Sequence, residues 1–299
     1  MENQNKVKSV ATYRYNKYFF EDIDNIEGKE GFLEKKIELD EAGNIVTESY
    51  FQESGEVDHK IQRVFNANNQ LVEEFVFYAD DEIAEKLIVH RNDKGQIIKK
   101  EKEYAEGEAS VSNLKYDDNN NLISKVTLDL DGEVEEEENF VFENNNLIEH
   151  KIVNCFGNVQ YFEKNKFNEK KQILEQIIEN GDEYEKLIQF FEEDNLISLE
   201  IYDKQGNGIK KLDYTYNEIN QNIEINERGK FGVKKIKIEY DEFGNEALEE
   251  TYNAGGDLLQ RIKRVFEGNQ KNLITSYWIE NKEYGIVNSF SVVTEYTYF

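Results

Sequence analysis

Hydrophobic and polar residues alternate with a period of two over many short stretches of the chain. Between Leu122 and Leu130, for example, Leu122, Val126, Leu128 and Leu130 share one face. The same alternation places Val134, Phe140 and Phe142 opposite Glu135, Glu137 and Asn139, and places Leu258, Ile262 and Phe266 opposite Arg261 and Lys263. A period of two is typical of antiparallel strands with one buried face. The pattern therefore predicts strands.

A turn-like segment recurs between these stretches. It begins with a bulky residue, continues with acidic or Asn residues, and ends with Gly or Asn before an aliphatic residue, as in Leu39-Asp40-Glu41-Ala42-Gly43-Asn44-Ile45. Its ten copies begin at Leu39, Phe65, His90, Tyr116, Phe142, Phe167, Phe191, Tyr216, Tyr240 and Phe266. Successive copies begin 24 to 26 residues apart. This spacing indicates an internal repeat of about 25 residues.

A second series of turn residues lies midway between the members of the first. Its members are Gly55, Asp81, Gly107, Gly132, Gly157, Gly181, Gly206, Gly229 and Gly255. Gly, Asn and Asp tolerate the positive φ angles that tight turns require. Each repeat is therefore predicted to run strand, turn, strand, turn, which makes it a β-hairpin.

Three parts of the chain fit the repeat less regularly. Residues 7–39 are predicted to form an N-terminal capping unit with a longer connection around Asn25 to Gly31, and residues 281–299 a C-terminal capping strand after a turn near Asn281. Residues 173–191 also show near-helical spacing, but Asn180-Gly181 falls at an expected turn, so the repeat favours strands. Residues 40–280 form the regular repeats, and we expect residues 1–299 to be a single domain.

These patterns predict an all-β protein of about 22 strands in one antiparallel meander. At a strand spacing of about 4.8 Å such a sheet would extend for about 100 Å. Open twisted sheets rarely exceed about 10 strands without curling. We therefore expect one long open sheet that twists or coils, similar to a β-solenoid or shell.

The net charge of −27 limits the classes of partner. Nucleic-acid phosphates and anionic membranes are bound by Lys and Arg, so neither nucleic-acid binding nor membrane insertion is expected. The charge can serve solubility alone, or it can attract a basic protein. The 18 Tyr and 19 Phe indicate a folded chain, because disordered chains are poor in aromatic residues.

The cysteine content and the N-terminal residues indicate where in the cell the protein is located. Cys155 is the only cysteine, so an intrachain disulfide and a cysteine-based zinc site are not possible. Glu2-Asn3-Gln4-Asn5-Lys6 is polar and differs from the apolar part of a signal peptide. The sequence as given therefore predicts a cytoplasmic location; if a signal peptide has been removed, the protein would be secreted or on the cell surface.

Two turns carry a resemblance to a known family. Tyr240-Asp241-Glu242-Phe243-Gly244-Asn245 and Tyr202-Asp203-Lys204-Gln205-Gly206-Asn207 resemble the YD repeats of RHS-type proteins, and the segment beginning at Leu39 is a looser copy. In that family long repeat tracts form β-sheet shells around a toxin or serve as adhesion scaffolds. Many copies here lack the Tyr-Asp pair, and the chain contains no Pro for the family's C-terminal signature. The resemblance implies a coiled scaffold without toxin delivery.

Candidate chemistry is sparse. His59, His90 and His150 lie within or beside predicted strands, and Cys155 precedes a turn, so we assign no catalytic residue and do not expect an enzyme. Asp117-Asp118-Asn119-Asn120-Asn121 and Asp129-Leu130-Asp131-Gly132 are interpreted as ordinary turns rather than calcium loops. Glu135 to Glu138 is interpreted as a solvated strand. No cofactor, metal or binding residue is assigned.

The leading hypothesis is a non-catalytic β-repeat scaffold that binds another protein through an extended acidic, aromatic-bearing sheet. A second is an immunity or antitoxin-type protein that neutralises a basic toxin through charge complementarity. A third is a carbohydrate-binding module that uses Tyr residues and Trp278 for stacking. The oligomeric state and the identity of the partner are left open by the sequence.

Overall fold

The structure, a computed structural model, describes residues 6–230, 232–267, 271–281 and 286–299. The described chain is all-β apart from one 3-10 helix at Ile23–Ile26. Its 22 strands are β1 (Val7–Asn16), β2 (Phe32–Leu39), β3 (Ile45–Phe51), β4 (Val57–Phe65), β5 (Leu71–Tyr78), β6 (Ile83–Arg91), β7 (Ile97–Tyr104), β8 (Ala109–Tyr116), β9 (Leu122–Leu128), β10 (Val134–Glu143), β11 (Asn146–Asn154), β12 (Val159–Phe167), β13 (Ile173–Asn180), β14 (Glu183–Glu192), β15 (Asn195–Tyr202), β16 (Gly208–Tyr216), β17 (Asn222–Gly229), β18 (Gly232–Tyr240), β19 (Glu246–Asn253), β20 (Leu258–Glu267), β21 (Lys271–Asn281) and β22 (Ile286–Tyr298). The all-β hairpin repeat is confirmed, including strands at 173–191 where a helix had been the alternative.

The sheet is closed, and the prediction of an open, coiled meander is wrong. All 22 strands belong to one sheet, and each described pairing is antiparallel and joins consecutive strands, with one exception. The exception joins β1 to β22, with a register from Val7↔Tyr298 to Asn16↔Phe290. The first and last strands therefore pair with each other, so the sheet has no free edge at β1 or β22. Closure pairs the backbone groups that two edge strands would leave unpaired.

The turn sequence explains why the chain reverses where it does. In the turn after β2, Asp40 N donates to Asn44 O at 3.0 Å and Gly43 N donates to Asp40 O at 3.0 Å. The Asp40 Oδ1 atom accepts from the backbone N–H groups of Ala42 and Asn44, each at 2.9 Å. Gly43 has a φ of +90°, a conformation that L side chains rarely adopt. The local hydrogen bonds of five residues thus define the turn.

The side chains at the first and fifth turn positions are matched as acceptor and donor. In four turns the first residue is Asp and the fifth is Asn, whose Nδ2 donates to the second carboxylate oxygen; the pairs are Asp40 with Asn44, Asp117 with Asn121, Asp203 with Asn207, and Asp241 with Asn245. In four others the first residue is Asn and the fifth is Gln, and the Asn Nδ2 donates to Gln Oε1; the pairs are Asn66 with Gln70, Asn92 with Gln96, Asn168 with Gln172, and Asn217 with Gln221. Each combination satisfies the groups left over by the backbone.

Most predicted turn positions are confirmed, and one is displaced. Gly132 and Gly206 have positive φ angles in turns, and Gly255 lies in the turn between β19 and β20, where the residue with positive φ is Gly256. Gly229 instead ends β17. The turn expected near Asn281 concerns residues 282–285, which lie outside the described residues.

Burial does not separate the sheet into one apolar and one polar face. Every residue of β2 and of β11 is half-buried. In β10, Glu136 and Glu138 are half-buried together with Phe140 and Phe142, whereas Val134 is exposed because a bulge interrupts the register after it. The expected burial of Val134 with the two Phe residues is wrong. Ion pairs therefore share both faces with aliphatic side chains.

The described chain contains one well-buried apolar cluster. It consists of Phe20, Ile274 and Val293, with Tyr15, Tyr18, Ile26, Val265 and Leu273 packed against it. Phe20 belongs to the long connection that was expected near Asn25, which spans residues 17–31 between β1 and β2 and contains the 3-10 helix. We call this connection the strap.

The chain divides into two compact units. Unit 1 comprises Met1–Ala84, Thr215–Asn226 and Gly232–Phe299, and unit 2 comprises Glu85–Tyr214 and Glu227–Phe231. The expectation that residues 1–299 form a single domain stays a prediction. Within the described residues there is no helix with the length and apolar character that a membrane span requires.

Candidate protein-binding surface

Five hairpin turns of unit 2 lie on the same edge of its sheet, and four of them are consecutive neighbours without Lys or Arg. The fifth, after β15, contains Lys204, which pairs with Glu179. Antiparallel strands joined by hairpins place successive turns on alternate edges. The turns that follow β7, β9, β11 and β13 therefore share an edge, and they comprise residues 104–108, 129–133, 154–158 and 180–183. We call these four turns the tips.

Two neighbouring tips expose large apolar side chains. Leu130 is 67 % exposed and Phe156 is 83 % exposed. The local hydrogen bonds account for this, because the Asn154 Oδ1 atom accepts from Phe156 N and Asn158 N, both at 3.0 Å, and the middle of the turn projects into solvent. Asp129 makes the same bonds to Asp131 N and Glu133 N. Turn chemistry therefore holds both apolar side chains away from the sheet.

Three of the four tips carry exposed carboxylates, and none of the four carries Lys or Arg. Six exposed carboxylates lie there, namely Glu106, Glu108, Asp131, Glu133, Asp182 and Glu183. In the described part of the chain none of the six forms an ion pair. We call these six carboxylates, together with Leu130 and Phe156, the tip surface.

Some carboxylates within the strands of unit 2, in contrast, are paired with cations. Glu175 lies 2.7 Å from Lys166 Nζ and 3.0 Å from Lys186 Nζ, and hydrogen bonds from these two amines lower the pKa of Glu175. Hydrogen bonds from the Tyr202 hydroxyl and then from Lys211 likewise lower the pKa of Glu200. Unlike Glu175 and Glu200, the six tip carboxylates have no cationic partner among the described residues.

The tip surface has the chemistry of a protein-recognition site. Exposed aromatic and aliphatic side chains supply the apolar centre that dominates binding energy, and charged groups at the rim select partners and steer association. Uncompensated carboxylates favour a basic partner. The sequence contained the signal for this surface, since Leu130 and Phe156 occupy turn positions that are usually polar, but the sequence analysis assigned no binding residue.

The three histidines lie on separate strands. His59 stacks on Tyr50 with ring centroids 4.3 Å apart, and its Nδ1 lies 2.8 Å from Asp58 Oδ2. His90 Nε2 lies 2.7 Å from Glu101 Oε1. His150 stacks on Phe140 at 4.3 Å, and its Nε2 lies 3.5 Å from Glu138 Oε2. Each histidine has a separate packing environment, and the structure does not bring the three together.

Other residues considered from the sequence have ordinary structural places. Cys155 is exposed at the tip beside Phe156. Trp278 is half-buried on β21, opposite Arg261 and Ser289. The Asp117 carboxylate accepts hydrogen bonds from Asn119 and Asn121, which confirms its interpretation as a turn residue. Among the described residues no cluster of three His, Cys, Asp or Glu side chains could hold a metal ion.

Sequence reasoning missed a charge cluster in unit 1. Glu48 is 8 % exposed and lies 2.6 Å from Lys35 Nζ and 2.5 Å from an Arg63 guanidinium nitrogen, and Arg63 Nε donates to Glu74 at 2.6 Å. Burial alone would raise the pKa of Glu48, but the hydrogen bonds from Lys35 and Arg63 outweigh it and lower that pKa to about 2. The cluster is internally compensated and joins β2, β3, β4 and β5.

No family model and no curated protein matches the sequence. Similar solved structures include a porin-like protein from Bacteroides uniformis, with a TM-score of 0.33, 6% identity, and coverage of 97% of this chain and 98% of that chain. They also include TcdB2-TccC3-TEV, with a TM-score of 0.25, 12% identity, and coverage of 83% of this chain and 18% of that chain. TM-scores of this size assign neither a family nor a function, and what the structure itself shows is an all-β hairpin repeat.

Proposed function

We propose that the protein is a non-catalytic hairpin-repeat scaffold that binds a basic protein through the tip surface. The observation that carries this proposal is the placement of two exposed apolar tips among six carboxylates that have no cationic partner. A partner that covers Leu130 and Phe156 would remove large apolar areas from water, which is worth about 1.5–3 kcal/mol for each fully buried side chain. Its Lys and Arg side chains would compensate the surrounding carboxylates.

The net charge of the chain supports the same partner class. A charge of −27 raises the rate of encounter with a positively charged protein and slows encounter with other acidic proteins. The immunity-type hypothesis is a special case of this proposal, in which the basic partner is a toxin. Relationship to the RHS-type YD-repeat proteins is kept as a hypothesis about origin, supported by the turns at Tyr202 and Tyr240. No contact among the described residues favours the carbohydrate-binding alternative.

The test is affinity capture from the source cells, followed by binding measurements with the purified partner. Leu130→Ser with Phe156→Ser is expected to weaken binding about 30-fold or more, because central aromatic and aliphatic contacts often contribute at least about 2 kcal/mol. Binding by the wild-type chain is expected to weaken as NaCl is raised. Both substitutions are at exposed turn positions, so the fold is expected to be retained.

A matched control exists on unit 1. Ile219 and Phe243 are also exposed in the middle of neighbouring turns, at 73 % and 58 %. Ile219→Ser with Phe243→Ser should leave binding unchanged. The proposal fails if the two double variants behave alike, or if the captured partner is acidic and binds independently of salt.

A further inference from the structure

The junction between β1 and β22 differs from the other described junctions of the sheet in how its two strands are connected along the chain. Neighbouring strands elsewhere are joined by a covalent connection, which in most cases is a short hairpin turn. β1 and β22 pair although their residues lie near opposite ends of the chain, as in Thr12↔Thr294. Closing so long a loop costs more conformational entropy than closing a hairpin. We call this junction the seam.

The strap connects the two sides of the seam. It is covalently continuous with β1 and β2 on one side, and it hydrogen-bonds to β21 and β22 on the other. Lys17 N donates to Ser289 O at 2.8 Å. Phe20 N donates to the hydroxyl oxygens of Ser276 and Ser291, at 3.0 and 3.1 Å, and Ser276 Oγ donates to Phe20 O at 2.9 Å.

Burial is concentrated at the same place. Phe20 is 2 % exposed, and Ser276 and Ser291, which are register partners across β21 and β22, are both 0 % exposed. Buried hydroxyl groups are costly unless they are hydrogen-bonded, and here the strap backbone satisfies them. The strap and the two serines therefore depend on each other, since removing the strap would leave both hydroxyls and Ile274 uncovered.

Further contacts bind the strap along its length. Glu21 forms an ion pair with Lys263 on β20, and the ring of Phe20 packs edge-on against Tyr15 of β1 at 5.2 Å. At its end, Gly31 passes so close to the Tyr15 ring that a Cβ atom would lie 2.6 Å from it. Gly31 thus brings the strap into close contact with β1, while the ion pair of Glu21 attaches the strap to β20.

We propose that the strap is a latch that keeps the seam closed, and that its release lets β1 and β22 pair with the seam strands of a second copy of this chain. Separated, the two strands would each present a row of unpaired backbone groups, which is the usual template for pairing between chains. The same edges occur in every copy, so exchange of seam strands between two copies restores every lost backbone bond. This inference concerns the seam in unit 1 and is independent of the tip surface.

The test compares Phe20→Asp with the wild-type chain, both carrying Cys155→Ser to remove the exposed thiol. Amide hydrogen exchange in residues 9–14 and 292–297 is expected to accelerate about tenfold or more in the variant, with β12 to β15 unchanged. Native mass spectrometry is expected to show a dimer fraction that rises with protein concentration. Phe243→Asp, at an exposed turn position of the same unit and outside the tip surface, is the control and should change neither readout.

A disulfide across the seam separates this mechanism from nonspecific association. Thr12→Cys with Thr294→Cys joins register partners, which are spaced suitably for a disulfide. In the Phe20→Asp chain a disulfide formed within one chain, by oxidation at low protein concentration, should keep the protein monomeric and restore its exchange protection. Dimers that form from chains already closed by their own disulfide, or exchange that is faster throughout the sheet, would overturn the proposal. If Phe20→Asp fails to fold, Ser276→Ala with Ser291→Ala carries the same test, and unaltered seam exchange there would also overturn it.

Discussion

At the scale of single residues, the turns are held by a complementary choice of side chains. Asp241 accepts from two backbone N–H groups with one oxygen and from Asn245 Nδ2, at 2.8 Å, with the other. The hydrogen bond from the Asn245 side chain is the main reason that the pKa of Asp241 is lowered. The same lowering occurs at Asp203 beside Asn207. One carboxylate thus organises the donors of an entire turn.

We expect Asn245→Ala to raise the pKa of Asp241 towards its ordinary value of 3.8, because the largest contribution to the lowering is lost. Carboxyl carbon chemical shifts measured as a function of pH would show this directly. Asp203 in the same sample is the internal control and should titrate as in the wild type. An unchanged Asp241 titration would mean that backbone donors alone set the pKa.

Glu48 gives a pH dependence of stability whose sign follows from its pKa. The pKa of about 2 in the folded chain lies below the ordinary value of 4.5. The stabilisation is therefore fully present above pH 4.5 and is lost as pH falls from there towards 2. Glu48→Gln should lower the free energy of unfolding by about 2 kcal/mol at pH 7 and flatten its dependence on pH in that window.

Urea unfolding at several pH values measures this effect. Glu38→Gln is a suitable control, because Glu38 lies on β2 in a more exposed pair with Lys36, and exposed pairs contribute at most about 1 kcal/mol. Equal losses for the two variants at pH 7 would contradict the role of burial at Glu48.

At the scale of the element, the hairpin is specified by backbone conformation at one turn position. Gly206 has a φ of +83°, and a Cβ atom built there would meet nothing within 4 Å. Equivalent positions in other repeats are occupied by Asn69, Asn120 and Asn220, each with positive φ. The requirement is therefore for a left-handed conformation and not for space.

This predicts a difference between two substitutions at one position. Gly206→Val should destabilise the protein by about 1–2 kcal/mol, because a β-branched residue is strained at positive φ. Gly206→Asn should cost less than about 1 kcal/mol, since Asn tolerates the left-handed region. Thermal melts of both variants test this. Similar melting temperatures would indicate that the cost of a substitution at position 206 is set by packing and not by the backbone conformation.

At the scale of the whole molecule, a charge of −27 opposes compaction by self-repulsion. Screening at 0.1 M salt acts beyond a Debye length of about 10 Å, so it weakens the long-range repulsion more than the close ion pairs within the strands. The melting temperature should therefore rise when NaCl is increased from low concentration. A fall in the melting temperature would mean that screening weakens the ion pairs more than it weakens the repulsion.

The six tip carboxylates provide the matched variant for this measurement. Replacing all of them by their amides changes the charge from −27 to −21, since −27 + 6 = −21. The melting temperature of that variant should depend less steeply on NaCl. If the melting temperatures of the variant and the wild type depend equally on NaCl, the repulsion arises from other carboxylates of the chain.

The hairpin repeat could be predicted from sequence because its causes are local. Asp40, Gly43 and Asn44 make the bonds of one turn within five residues, and the spacing of about 25 residues repeats them. The exposed apolar tips were equally local, although their significance was not recognised. By contrast, the near-burial of Glu48 depends on Lys35 and Arg63 from two neighbouring strands, and alternation along one strand does not reveal such compensation.

Strand positions, turn positions and the all-β class were thus determined by the amino-acid sequence alone, through hydrogen bonds between residues a few positions apart. Only the tertiary structure decided that the sheet closes, that charged residues share both faces with aliphatic ones, and that Phe20 of the strap packs against β21 and β22. The physical reason is separation along the chain: Thr12 and Thr294 pair through backbone groups that every residue possesses, so no side-chain pattern marks them as partners.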